Sequence, residues 1–212
     1  MLRRTVLAGS ALVPLAYGAL RALSGEGAPR RGPRARYLPN VQLRTHENEK
    51  VRFYDDLIKD KHVVINFTYA QCSEICPMMT ANLVKVQQIL GERVGRDIFM
   101  YSITLTPEQD TPDVLRHYAD AFGVKPGWLF LTGAPEDVEL VRRALGFVDP
   151  DPIVDQQLTA HSGVVLYGNE PLGRWAACPA LSRPELVAES ILWLDNRPRY
   201  RIENGRTRVI AA

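Results

Sequence analysis

Cysteine is scarce in this chain, with three among 212 residues. Three are too few for a disulfide framework, and an odd number leaves at least one thiol outside any internal pair. A charge excess is missing as well: 26 Lys and Arg against 24 Asp and Glu leave a net +2, which argues against a general nucleic-acid binder. Internal repeats are absent. So is a hydrophobic run of full membrane-spanning length. The uncharged stretch Thr5–Leu20, flanked by Arg3-Arg4 and Arg21, falls short of the ~20 residues a spanning helix needs, and Gly9, Pro14 and Gly18 interrupt it.

What is present fits one ordinary globular domain with extensions: 46% apolar and 24% charged residues. The basic start followed by an apolar stretch reads as a signal peptide or an N-terminal membrane anchor over residues 1–23, and the paired arginines resemble a twin-arginine export signal. Either form predicts delivery to the periplasmic side of a membrane, soluble or tethered by the N-terminus. Residues 24–36, rich in Gly, Pro and Arg, read as a linker. A domain is predicted over 37–196 and a loosely held tail over 197–212. The arginines near the two ends (Arg30, Arg31, Arg34 and Arg36; Arg197, Arg199, Arg201, Arg206 and Arg208) suit solvated tails able to rest on an anionic membrane surface.

Within the domain, two segments around the turn His46–Glu49 predict an antiparallel ribbon, Leu38–Thr45 with Val51–Tyr54. The run Val63–Phe67 reads as a strand at the buried centre of a sheet. Met79, Leu83, Val86 and Leu90 then recur at spacings of four, three and four, a helix face that Gly91 and Gly95 end and that Pro77 opens. A strand over Asp97–Leu105, a helix from Asp110 to about Phe122, a strand at Trp128–Leu131 and a helix over Pro135–Leu145 follow. Residues 146–160, rich in Asp and Pro, read as loop. A hairpin (Ser162–Tyr167 with Leu172–Ala176) and a last helix from Pro184 to Leu194 complete the order. Strands alternating with helices and ending in a hairpin predict a thioredoxin-like α/β fold: a central mixed sheet flanked by helices, with an N-terminal β-ribbon.

The chemistry concentrates in Cys72-Ser-Glu-Ile-Cys76-Pro77, between the central strand and its helix. A disulfide closing so short a ring would constrain the unfolded chain by only ~2 kcal/mol, against ~4.7 for a hundred-residue loop. The pair therefore suits redox exchange or a soft metal better than stapling. A thiol at a helix N-terminus is stabilised as thiolate, which both attacks disulfides and binds metal. Thioredoxin-type oxidoreductases separate their cysteines by two residues; here there are three. His161 is the second candidate, because in this layout the connection ahead of the hairpin faces the cysteine loop. Two thiolates and an imidazole form a soft, three-coordinate set that suits Cu(I), whereas zinc would want a fourth ligand.

Other candidates have plainer readings. Met79 lies on the apolar helix face and packs in the core, while Met78 is open to a ligand role. Cys178 reads as an idle thiol, and His46, His62 and His117 as structural or surface residues. Glu74, between the cysteines, would act on copper's charge or on the thiols.

The chain resembles the Sco/SenC family, thioredoxin-fold copper carriers of cytochrome c oxidase assembly, from about Asn40 to Asp195. The likeness rests on Phe67-Thr68-Tyr69 leading into Cys72-x-x-x-Cys76-Pro77, on Pro107-Glu108-Gln109-Asp110-Thr111-Pro112-x-Val114-Leu115, on Leu131-Thr132-Gly133 and on His161-Ser162. It implies Cys72, Cys76 and His161 as ligands of a copper ion, with the two thiols also able to cycle through a disulfide. Where the family commonly has an aspartate before the Pro-Glu-x-Asp-Thr-Pro motif, this chain has Thr106, and the strand Ser102–Leu105 leading into it is lengthened. The reading is a copper chaperone that passes its metal by ligand exchange to the apo-form of a copper oxidase subunit or to another copper carrier. The alternative is a thiol–disulfide oxidoreductase with Cys72 and Cys76 as its redox pair, reducing a target metalloprotein's cysteines. A peroxidase of related fold would want an arginine beside the cysteine, and none flanks this loop.

Overall fold

The computed structural model describes residues 32–161, 163–195, 200–203 and 206–209. The expected targeting segment and most of the linker lie outside them. Seven strands form one mixed sheet: β1 Gln42–Thr45, β2 Lys50–Arg52, β3 His62–Thr68, β4 Ile98–Thr104, β5 Trp128–Gly133, β6 Val164–Asn169 and β7 Arg174–Pro179, in the order β2-β1-β5-β4-β3-β6-β7. β3, β4 and β5 run parallel, and each outer hairpin joins them through an antiparallel strand, β1 against β5 and β6 against β3. Five helices are described: α1 Ile75–Leu90, α2 Pro112–Ala121, α3 Pro135–Ala144, α4 Pro152–Asp155 and α5 Pro184–Leu192. The backbone of Tyr200–Glu203 (β8) pairs antiparallel with that of Arg206–Val209 (β9). The mixed sheet flanked by helices is the arrangement expected from the sequence, and the N-terminal ribbon is its β2-β1 edge.

Alternation along the central strands divides the core between the two faces of the sheet. Val63, Ile65 and Phe67 point to one side, where Phe53, Tyr54, Leu57, Ile58 and the α3 residues Val138 and Val141 pack. Val64 points to the other, with Met79, Leu83, Val86 and Leu90 of α1, Leu115 of α2 and Val187 and Ile191 of α5. Every residue of β3 is buried, as its unbroken apolar run demands. On the α1 side the strands turn polar towards their C-terminal ends. Val64 gives way to Asn66 and Thr68, and Met100 to Ser102 and Thr104, all buried. Trp128 Nε1 donates to Ser102 Oγ (2.9 Å), which donates in turn to Asn66 Oδ1 (2.8 Å). A hydrogen-bonded polar layer thus leads up to the end of the sheet that carries the cysteines.

Two local expectations are corrected. The second ribbon strand stops at Arg52, and Phe53–Ile58 forms a wide helical turn instead of continuing the strand. The turn is held from a distance: Asn40 Oδ1 accepts from the N–H groups of Tyr54 (3.1 Å) and Asp55 (3.0 Å). Residues 146–160 are not all loop. Asp151 caps the short helix α4 by accepting from Ile153 N (2.8 Å), with Pro152 in the first helical position, and Leu158–His161 winds into a 3-10 turn.

Tyr54 also closes the fold at the opposite end from the cysteines. Its hydroxyl donates to the fully buried Glu170 carboxylate (2.8 Å), which accepts in addition from the N–H groups of Asp60 (3.2 Å) and Arg34 (3.4 Å). Tyr54→Phe leaves that carboxylate short of one donor and should destabilise the protein by about 1–3 kcal/mol. In urea unfolding the midpoint should fall with the slope unchanged; an unaltered midpoint would show that the bond contributes nothing.

Candidate metal centre

The cysteine loop runs from the end of β3 into α1. The helix begins at Ile75, so Cys76 lies in its first turn together with Pro77, where the proline was expected. No side-chain oxygen caps this end. Instead the Cys76 backbone N–H points at Cys72 Sγ (3.4 Å), and the sulfur stands where a Ser or Asp oxygen would normally accept. Cys72 N–H in turn bonds to Tyr69 C=O (3.2 Å), which curls the loop back on itself. Both thiols are unpaired and nearly or fully buried.

Their environments differ in sign. Burial pushes the Cys72 thiol up, but hydrogen bonds from Cys76 and Tyr69 side chains and from backbone N–H groups outweigh it and hold it below the ordinary thiol range. Cys76 is raised, first by deeper burial and then by its proton being held against Cys72. Tyr69 is pushed up to about 12, chiefly because its hydroxyl proton is shared with Cys72. Of the two thiols, Cys72 is the one that ionises first. The Thr68 hydroxyl lies beside Cys76 without a partner in strict hydrogen-bond geometry.

The other chain segments at this end are held close to the loop. Asp110, fully buried, accepts from Ala70 N (3.0 Å), Thr104 Oγ1 (2.5 Å) and Thr106 Oγ1 (3.1 Å). Thr106, just ahead of Pro107-Glu108-Gln109-Asp110, is therefore a donor to the aspartate four residues on. Thr111 caps α2 (Val114 N, 3.4 Å), and Tyr118 of α2 bonds to Thr80 of α1 (3.1 Å).

His161 ends the 3-10 turn that leads into β6. Its backbone is described; its side chain lies outside the described residues. Two residues on, Gly163 (φ +92°) lies so close to α1 that a Cβ there would sit 3.1 Å from Ile75 Cδ1. The turn carrying His161 is thus brought against the first residue of the cysteine helix. Among the described residues no three His, Cys, Asp or Glu side chains gather into a metal-binding group.

The remaining candidates separate cleanly. Met79 is fully buried in the core and Met78 is 57% exposed on the first turns of α1. Cys178, on β7, is half-buried against the α1-side core, and burial raises its thiol. His62 is buried beside Asp195 (3.2 Å), His46 Nδ1 accepts from Phe130 N (3.1 Å), and His117 lies exposed on α2 with Nδ1 2.7 Å from Asp113 C=O. Glu74 is exposed. Tyr69, Thr68 and Gly163 were not singled out from the sequence. Tyr69 and Thr68 stood inside the quoted motif, but nothing local showed that they face the sulfurs.

Residues 33–189 match the SCO1/SenC family. The chain belongs to that family. Among its relatives is Protein SenC of Rhodobacter capsulatus, 27% identical over 133 residues, which are 62% of this chain and 59% of the relative. The SCO1/SenC match to such curated relatives spans about three fifths of their length. Among solved structures, Bradyrhizobium japonicum ScoI with copper bound superposes with a TM-score of 0.57 at 21% identity, covering 72% of this chain and 96% of that one. BsSco, described as a member of the Sco family of cytochrome c oxidase assembly proteins with a disulfide switch, gives 0.58 at 20% identity, covering 73% and 90%. These likenesses establish the shared SCO1/SenC fold.

The asymmetry of the two thiols is open to a direct check. With limiting iodoacetamide near neutral pH, the metal-free reduced protein should be alkylated first at Cys72, as read by peptide mapping. Equal labelling, or a preference for Cys76, would contradict the assignment of the thiolate.

Proposed function

We propose that this SCO1/SenC chain is a copper chaperone that binds copper as cargo through Cys72, Cys76 and His161. It would act on the periplasmic side of the cytoplasmic membrane, soluble or tethered by its N-terminal segment, and deliver the metal to the copper site of a respiratory cytochrome c oxidase. The observation that carries the reading is the sulfur-capped first turn of α1, with Cys72 Sγ against the Cys76 N–H and the His161 turn packed on Ile75 through Gly163. Family membership and the copper-bound ScoI structure support it.

The chemistry follows from the donor set. Two sulfurs and an imidazole favour Cu(I) and leave it under-coordinated, so an incoming thiolate or imidazole of a recipient can add before a chaperone ligand leaves. No covalent turnover is required. The buried thiols keep bulk water from the ligands, and the helix N-terminus stabilises their anionic form. The same sulfurs can close to a disulfide, and in that state neither is free to hold the metal as thiolate.

The histidine separates copper carriage from thiol chemistry. His161→Ala should lower Cu(I) affinity at least a hundredfold in a competition titration with a chromophoric chelator. The disulfide exchange of the metal-free variant with a model substrate should stay near that of the parent protein. Unchanged copper affinity and stoichiometry would make the three-ligand site wrong.

A further inference from the structure

We infer that Asp110 is a positioning residue of the copper site, pinning the approach to Cys72 onto the turn between β4 and α2 and so setting how the two sulfurs are presented. The inference rests on the copper reading for its purpose and on the geometry for its substance. Asp110 touches neither cysteine. It acts through Ala70, whose N–H it accepts at 3.0 Å, two residues ahead of Cys72.

Three donors converge on one oxygen, Oδ2: the Ala70 N–H, the Thr104 hydroxyl at 2.5 Å and the Thr106 hydroxyl at 3.1 Å. The Thr104 hydroxyl in turn accepts from Thr106 N (2.9 Å), and Asp110's own N–H bonds back to Thr106 C=O (2.9 Å). Thr104 pairs in register with Thr68, the last residue of β3, so the end of β3, the start of the cysteine loop and the 104–110 turn are joined at a single atom. The other carboxylate oxygen, Oδ1, is buried and has no partner.

That imbalance argues against a purely stabilising role. A fully buried carboxylate with no cation beside it among the described residues carries a desolvation penalty that three neutral donors only partly offset. An amide oxygen, with two lone pairs, accommodates three converging donors less well than an anionic one. A carboxylate is therefore what the junction needs if the loop N–H is to be held together with both threonines. Thr106 suits the same end, because an aspartate at that position would set a second negative charge against Asp110.

What the clamp controls is the freedom of residues 69–72. Tyr69 supplies the C=O that binds Cys72 N–H (3.2 Å), and Cys72 Sγ takes the Cys76 N–H (3.4 Å). With Ala70 released, Tyr69 loses its fixed place and the sulfur its preset distance to Cys76. Sulfurs held close in advance close a disulfide with less loss of chain entropy, so releasing the loop should make the disulfide easier to reduce.

Asp110→Ala, Asp110→Asn and, as a control of comparable stability loss far from the site, Tyr54→Phe are compared in two measurements. The first is the reduction potential of the Cys72–Cys76 pair in metal-free protein, by equilibration with reduced and oxidised dithiothreitol. The second is Cu(I) affinity with the copper–thiolate absorption of the loaded protein. Asp110→Ala should shift the thiol–disulfide constant at least tenfold towards the reduced form, about 30 mV, weaken copper binding at least tenfold and alter the absorption. Asp110→Asn, which keeps an acceptor for Ala70, should fall between it and the parent, and it decides the matter if the alanine variant does not fold. Tyr54→Phe should match the parent in both. A parent-like potential in the folded Asp110 variants, or an equal shift in Tyr54→Phe, overturns the inference. Failure of the parent protein to take copper would overturn the chaperone reading instead, while the metal-free potential still tests the clamp.

Discussion

The first turn of α1 is capped by a sulfur atom, and the rest of the candidate site depends on that substitution. Four N–H groups at any helix start must find acceptors, and an oxygen cap is typically worth ~1 kcal/mol. Here Cys72 Sγ takes the Cys76 N–H, so a structural requirement of the helix and the chemistry of the site fall on one atom. The positive end of the helix favours the anion at Cys72, and the anion favours a protonated Cys76 beside it. In the proposed copper-loaded form, a metal held by both sulfurs would stand where that proton does.

The sheet supplies the remaining constraint. Parallel β3, β4 and β5 send their loops to one edge, and antiparallel β6 begins at that edge, so the cysteine loop, the Asp110 turn and the His161 turn converge although they are far apart in sequence. The buried faces grade from apolar to polar towards this edge, through Val64, Asn66 and Thr68 on one strand and Met100, Ser102 and Thr104 on the next. The apolar part anchors α1 by Met79, Leu83 and Val86, and the polar part offers hydroxyl groups beneath the sulfurs. Gly163 completes the convergence: its φ of +92° suits glycine, and a Cβ there would sit tight against Ile75 Cδ1.

The parts legible in the sequence were those with local periodicity or local chemistry. The continuous apolar run of β3, the four-three-four spacing of α1 and the proline-opened helices α2, α3 and α5 reappear within a residue or two. The cysteine pair was legible from its place between a strand and a helix. What could not be read depended on partners distant along the chain. The Phe53–Ile58 turn needs Asn40, and the Asp110 clamp needs Ala70, forty residues away. The residue before Pro112, Thr111, caps α2 as the sequence suggests, but nothing local showed that Asp110 faces inward. Composition alone made residues 146–160 a loop, although Asp151-Pro152 held the local signal for α4.

The central claim concerns which atoms hold the metal. X-ray absorption at the copper edge of the fully reduced protein, loaded with Cu(I) and freed of excess metal, tests it most directly. The account requires one copper per chain with a first shell of two sulfurs and one nitrogen. A shell of sulfur alone, or a protein that retains no copper, would contradict it.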